Sequence, residues 1–183
     1  SMKREIVVYD DLFVHIYGKN GKVFQSIQHG MANPAVETSS SQVLTYSIGG
    51  YDIRLDSKYS NIYEKNLPQQ ILSASLGANG DTAVVTKSDI YASTLTVYDS
   101  KGEERYVWEQ LDNLILDASL SPSGKFCAAA SVVPEGAQVT TRVSVLDGSG
   151  KVSGTVNVKG AMVIEMTFDA SGNLMVVTEE AVT

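Results

Sequence analysis

Apolar residues along the chain come in short runs rich in Val, Ile, Leu, Tyr and Thr, and clusters of Gly, Asp, Ser and Asn separate the runs. Inside the runs apolar and polar positions alternate, as in Leu95-Thr96-Val97 and Val143-Ser144-Val145. Alternation of period two marks a strand with one face buried. No stretch keeps the 3.6-residue period of an amphipathic helix, so the pattern predicts an all-β protein.

The separators repeat. SPSG, ending at Gly124, runs into KFCAAAS; GANG, ending at Gly80, runs into DTAVVTK; DASG, ending at Gly172, runs into NLMVVTE; TSSS, ending at Ser41, runs into QVLTYS. From Ser41 through Gly80 and Gly124 to Gly172 the steps are 39, 44 and 48 residues. A second marker interleaves with the first. HIYGKNGKVFQSI carries Gly21, RLDSKYSNIY has Tyr59 in the glycine's place, VYDSKGEERYVW carries Gly102 and VLDGSGKVSGTV carries Gly150, at steps of 38, 43 and 48. Two markers that lengthen together define a single repeat. Each repeat holds four short strands, A to D. The SPSG-like turn joins A to B and the DSKG-like turn joins C to D, with Gly supplying the positive φ that such turns need. Four strands in roughly 40–50 residues make a β-propeller blade.

The expected architecture is therefore β-propeller-type blades of four antiparallel strands, about four in all, as a partial or small propeller. The chain opens with a C–D pair at about 5–27. Blades follow at about 31–66, 70–109 and 113–157, and an A–B pair at about 162–179 closes it. Residues 1–183 read as a single repeat domain. Either the two half-blades complete one blade and close a small ring, or the chain is an arc of a larger propeller; the arc is the favoured expectation. An arc leaves strand edges unpaired, and such edges invite pairing with a second copy, so a homodimer through them is expected.

Composition narrows the partners. Hydrophobic content is 43% and charge 19%, which is globular and not disordered. The net charge of −7 disfavours nucleic acid and anionic membrane surface. No run approaches the ~20 apolar residues of a membrane span, and no signal peptide is present. Ser1-Met2 reads as a cloning remnant, so membrane attachment would come only through a segment outside this chain.

Candidate chemistry is sparse. Nucleophilic catalysis needs a Ser or Cys beside a His and an orienting acid, and the only histidines are His15 and His29. His15 alternates with Val14 and Ile16 in a predicted strand and faces a sheet surface. Cys127, the single cysteine, lies mid-strand between Phe126 and Ala128, where a thiol behaves as a small hydrophobe. One cysteine permits no internal disulfide and no paired-thiolate metal site. Asp10-Asp11, Asp99-Ser-Lys-Gly102 and Asp147-Gly-Ser-Gly150 lack the ligand count of a calcium loop. Asp99 and Asp147, with Asp56 at the matching place of the degenerate copy, read as turn caps. Met162 and Met166 flank a strand and read as core. Many glycines are present but no helix for them to open, so phosphate cradles are not indicated. No catalytic, metal or cofactor-binding residue is assigned, no cofactor is expected, and the chain is not read as an enzyme.

HGMANP (29–34), IGGYDIRL (48–55), QQILSASLGANGDTAVVT (69–86), YASTLTVYDSKGEERYVW (91–108) and DASLSPSGKFCAAAS (117–131) follow one another in this order. That succession resembles a Gram-positive bacterial family of propeller-like proteins filed as a domain of unknown function. The likeness spans nearly the whole chain, and HGMANP is its most specific element. The resemblance implies an extracytoplasmic location, a membrane anchor in the full-length protein and additional chain at both ends; it implies no reaction. More distantly the repeats resemble quinoprotein-like and WD40-like propellers, through Asp-x-x-Gly followed by Trp108. Only one repeat has that Trp, and the Gly-His and Trp-Asp dipeptides of WD40 blades are absent, so no quinone cofactor is carried over.

In a propeller the A–B and C–D turns share one face, and the D–A and B–C connections share the other. The first set is uniform here and the second varies, from IGG (48–50) through KSDIYAS (87–93) to VVPEGAQVT (132–140). Variable loops on a rigid scaffold carry binding. The candidate binding residues are His29, Met31, Asn33, Tyr91 and Glu135. The expected function is a non-catalytic interaction or scaffold module of a cell-surface protein, with an unknown protein partner. The alternatives are a small-ligand sensor, or part of a hydrolase or lyase whose site lies outside this chain.

Overall fold

A computed structural model describes residues 5–133 and 139–179, and every described element is a strand. Two compact units divide the chain, Ser1–Ile71 and Leu72–Thr183.

The first unit holds β1 (Glu5–Tyr9), β2 (Phe13–Gly18) and β3 (Val23–Gln28) as one antiparallel sheet. A second sheet holds β4 (Pro34–Thr38), β5 (Gln42–Ser47), β6 (Asp52–Ser57) and β7 (Asn61–Asn66) in sequential order. The opening pair expected at about 5–27 is thus three strands. Asp10 makes the difference: its Oδ1 accepts the backbone N–H groups of Leu12 and Phe13, both at 2.8 Å, and turns the chain between β1 and β2. Val14, Ile16 and Ile27 pack on Val43 of the next sheet, with Val7, Phe24 and Val36 around them.

The second unit begins within β8 (Ile71–Leu76), which joins β9 (Thr82–Thr86), β10 (Ser93–Tyr98) and β11 (Glu104–Gln110) in a four-stranded sheet. Next come β12 (Leu114–Leu120), β13 (Phe126–Val133), β14 (Thr140–Asp147) and β15 (Val152–Lys159), again in sequential order. A two-stranded sheet follows, β16 (Val163–Phe168) and β17 (Leu174–Thr178). Register fixes which residues meet. Cys127 lies opposite Leu146, so Cys127, Ala129 and Leu146 share a face and pack on Ala83, Val85, Leu95 and Val97 of the preceding sheet. Ala128 and Ala130 point the other way, with Val143, onto Val163 and Met166. Every residue of the Cys-Ala-Ala-Ala run is fully buried between sheets, where small side chains let the layers approach.

The turns show how the repeat works. Asp99 N–H bonds Glu103 O, and Gly102 N–H bonds Asp99 O. Asp147 and Asp169 repeat both bonds, and all three closing glycines have positive φ. The aspartate side chain caps each loop: Asp99 Oδ1 accepts from Lys101 N and Glu103 N, both at 2.8 Å. Asp56 departs from this role. With Tyr59 where a glycine would stand, the turn contracts to Ser57 N–H bonded to Ser60 O. Asp56 is buried and held by Arg54, at 2.6 Å from Nε and 2.9 Å from Nη2. One loop also gains a residue. Gly77 N–H closes on Asp81 O, whereas Ser121 N–H closes on Phe126 O. Aligned on their glycines, Ala83 and Cys127 correspond, yet Ala83 faces the following sheet and Cys127 the preceding one. A shift of one residue exchanges the two faces of a strand.

Candidate binding face

The antiparallel meander places A–B and C–D turns at one end of each sheet and the other connections at the opposite end. At the turn end, charged and amide groups stitch neighbouring sheets. In the first unit Lys58 Nζ meets Glu5 Oε1 at 2.7 Å and lies 3.8 Å over the Phe24 ring, and the Gln25 amide donates to Ser57 O and Lys58 O. In the second unit Arg105 Nη1 binds Asp81 Oδ2 at 2.5 Å and Gly124 O at 3.1 Å, while Nη2 reaches Gly148 O at 3.4 Å. That single guanidinium joins β11 and the β8–β9 turn to both turns of the next sheet. Backbone N–H groups hold the Asp99 and Asp147 carboxyls below the usual carboxylate range, with the Ser149 hydroxyl the first contributor at Asp147.

The opposite end carries the candidate loops. His29 braces its own loop: Met31 N–H donates to Nδ1 at 3.1 Å, so Nε2 bears the proton and donates to Asp10 O at 3.0 Å. Met31 is buried and anchors the loop from inside. Asn33 is exposed; its carbonyl accepts from Ile48 N–H at 2.9 Å, and its side-chain amide donates to Ile48 O at 3.4 Å. HGMANP is thereby fastened to IGG, and Leu12, Ile48 and Tyr51 stand exposed beside it.

In the second unit Ser88 Oγ accepts from the N–H groups of Ile90 and Tyr91 and shapes the β9–β10 connection. The Tyr91 phenol bonds Glu109, and that bond raises it above its ordinary pKa. Glu135 lies outside the described residues. The chain's pattern had not drawn attention to the most exposed apolar side chains at this end. Ile90 is 79% exposed, Leu111 68% and Ile164 62%. Their signal was available: Ile90 and Leu111 are large apolar residues inside polar connecting stretches, KSDIYAS and EQLDN. Ala92 N–H bonds Gln110 O and Leu111 O, which ties down the loops carrying Ile90 and Leu111, and Gly160 N–H bonds Val139 O in the connection that leads to Ile164 in β16. Acidic Asp89, Glu109, Asp112 and Glu165 neighbour them in sequence.

Among the described residues no three His, Cys, Asp or Glu side chains form a metal-holding group. Burial pushes the Cys127 thiol up to about 12, and the same cause raises Asp117, whose Oδ2 accepts from Met166 N–H at 3.3 Å across the sheet interface.

Sheets of four antiparallel strands, connected in order and stacked face to face, define a β-propeller-type repeat protein. The chain belongs to DUF5711, a family of unknown function whose profile matches residues 1–183. No curated protein matches it. Solved structures agree on the fold. Kluyvelomyces marxianus Hsv2 is similar at TM-score 0.72 and 13% identity, over 97% of this chain and 54% of that one. Kuenenia stuttgartiensis hydrazine synthase is similar at TM-score 0.70 and 13% identity, over 96% of this chain and 52% of that one. The β-propeller domain of Myceliophteria thermophila Cps50 (Swd1) is similar at TM-score 0.68 and 13% identity, over 97% of this chain and 63% of that domain. The chain thus spans about half to two-thirds of their lengths.

Proposed function

We propose that the chain is a non-catalytic protein-interaction module whose D–A and B–C connections meet the partner. The observation that carries this reading is the contrast between the two ends of the second unit. Ile90 and Leu111 project into solvent from braced loops and Ile164 from the start of β16, at 62–79% exposure, while the turn end presents Asp, Ser, Lys and Gly engaged in their own hydrogen bonds and its apolar side chains Phe126, Val152 and Met175 are only 41–43% exposed. Large exposed apolar side chains on a rigid frame suit association. The neighbouring carboxylates favour a partner surface in which aliphatic or aromatic groups are flanked by Lys and Arg. We further propose, from the resemblance in HGMANP and the segments after it, that the module works outside the cytoplasm of a Gram-positive bacterium and is held at the membrane by a segment beyond these residues.

Photo-crosslinking side chains at Ile90, Leu111, Ser123 and Ser149 of the full-length protein in its native envelope test the binding face. Adducts from positions 90 and 111 alone are expected; adducts from 123 and 149, or from none, refute it. Labelling of intact cells with a membrane-impermeant lysine reagent tests the location, and protection until lysis overturns it.

A further inference from the structure

His29 has both ring nitrogens committed to backbone groups of two different connections in the first unit. Nε2–H donates to Asp10 O in the β1–β2 turn, and Nδ1 accepts from Met31 N–H two residues further along the chain. The main chain of His29 holds the same turn, because its N–H donates to Leu12 O at 3.1 Å. Gly30 lets the chain fold back onto the ring. It has φ of 65°, and a Cβ there would meet nothing within 4 Å, so the residue between His29 and Met31 has room to pivot.

This arrangement accepts one form of the ring. A neutral imidazole offers one donor and one acceptor, whereas a protonated one offers two donors. A second proton, at Nδ1, sets N–H against N–H across 3.1 Å, and one side must give. The ring side is fastened to the β1–β2 turn by Nε2 and by the main chain, and the Asp10 carboxylate, which feels the ring's charge, draws an imidazolium toward that turn. The Met31 side has Gly30 as a pivot and gives instead. The other titratable groups on the surrounding elements are Tyr9 and Asp11 at the β1–β2 turn, His15 in β2, and Tyr51 and Asp52 at the start of β6; residues 30–34 and 47–50 carry none. His15 is engaged elsewhere, with Nδ1 at 2.9 Å from Ser26 Oγ and its ring stacked on Phe13. Backbone N–H groups of Leu12 and Phe13 hold the Asp10 carboxyl below the usual carboxylate range, so its proton uptake is a separate event at lower pH.

We propose that His29 is an acid-released latch on the HGMANP connection. The neutral ring closes the connection on Met31. In the window where imidazole takes its second proton, about pH 5–8, Met31 N–H is expelled from the ring. The buried Met31 side chain and the two bonds between Asn33 and Ile48 then lose the brace that holds them from one side. The surface that changes is the one around Asn33, where Leu12, Ile48 and Tyr51 stand exposed. The latch is a property of the free chain; only its consequence, a partner contact in the first unit that weakens in acid, rests on the interaction reading above.

Amide hydrogen exchange and imidazole nitrogen shifts, read by NMR on the whole chain from about pH 8 to about pH 5, test the latch. Protection of the Met31 amide, corrected for the pH dependence of exchange in an unfolded chain, is expected to fall about fivefold, the ratio set by one net hydrogen bond. The fall should track the Nδ1 signal of His29 as it changes from acceptor to N–H. The Gly21 amide, bonded to Gly18 O in a turn without a histidine, is expected to keep its protection. His29→Asn supplies an oxygen that can accept the same N–H and takes no proton, so Met31 protection in that variant should not vary over this range. His15→Asn should leave the parent's transition in place. Met31 protection that ignores the His29 titration, that follows pH equally in His29→Asn, or that changes only in the carboxylate range overturns the proposal. If His29→Asn fails to fold, the parent's own Met31 and ring signals still decide. Crosslinking at positions 90 and 111 plays no part in these readouts, so the latch and the partner reading fail separately.

Discussion

Removing the charge of Arg105 while keeping its stem, as Arg105→Met, isolates the clamp at the turn end. The Asp81 side chain is 7% exposed and the Arg105 side chain 30%. Breaking a fully buried pair costs about 3–5 kcal/mol, and a charge-assisted hydrogen bond contributes about 1.5–3 kcal/mol. Water reaches nearly a third of the guanidinium and partly replaces it once it is gone, which lowers the expected cost to about 2 kcal/mol. Asp81→Asn should cost less, about 1 kcal/mol, because Arg105 keeps Gly124 O and Gly148 O. The double variant should fall short of additivity by about 1 kcal/mol, since the groups share one network. Urea unfolding measures the three differences, and amide exchange at Gly124 and Gly148 reports whether loosening is local to the two turns. An Arg105→Met variant within about 0.5 kcal/mol of the parent, or strict additivity, would refute the clamp as a stabilising device.

The remaining predictions concern single groups. Cys127, buried with its thiol pushed up to about 12, should resist a thiol reagent at pH 8 in the native state and react at once in denaturant; rapid native labelling would contradict its placement. Because that value lies above the unfolded thiol's, Cys127 adds an alkaline loss of stability that begins as pH rises past about 8.5. Gly150→Ala should destabilise more than Gly21→Ala: both need positive φ, at roughly 1–2 kcal/mol. Only at Gly150 would the new methyl strike a side chain, Tyr106 Cδ2 at 2.6 Å, whereas at Gly21 it meets nothing; equal thermal midpoints would sink this. The depressed carboxyls of Asp99, Asp147 and Asp169 stabilise the fold above their unfolded pKa of about 4 and lose that effect as pH falls through their folded values. Asp147→Ala should flatten the acid limb of a pH–stability curve. Asp117 is raised by burial and has the opposite sign, so its contribution is lost as pH rises, and Asp117→Asn should be neutral or stabilising at pH 7.

What the pattern of residues made legible was whatever recurs. The glycine-closed turns at Gly80, Gly102, Gly124, Gly150 and Gly172 mark the hairpins because only a positive φ closes them, and all five have it. Cys127 was legible as packing for the same reason, as one position in a repeated strand. Singular features were not. The turn at Asp10 was hidden because an aspartate that caps an ordinary bend looks like one more acidic residue. The extra residue after Gly124 left the strand recognisable but exchanged its faces, because alternation has no absolute phase. Asp56 kept its place in the motif and changed its role once Tyr59 displaced the glycine. The candidate loops show the same limit: His29 is spent on Asp10 and Met31, while the outward side chains are Ile90 and Leu111, which hydropathy assigns to a core.

Those two observations bear on how the two ends divide their work. A meander that stacks sheets must hold neighbouring sheets at a fixed spacing, and the cheapest place to do so is where turns are short and alike. Arg105, Lys58 and Gln25 all act there: Arg105 and Gln25 bond to backbone carbonyls of turns, Arg105 also to the buried Asp81 carboxylate, and Lys58 to Glu5. With spacing secured at that end, the long connections at the other are free to differ in length without loosening the stack. Their backbone hydrogen bonds, such as Ile48 N–H to Asn33 O and Ala92 N–H to Leu111 O, tie loop to loop, and they leave the Ile90 and Leu111 side chains turned to solvent. Exposed Ile90 and Leu111 cost solvation with no return inside the unit. A partner that covers them restores it, and the rigidity of their loops lowers the entropy lost in doing so.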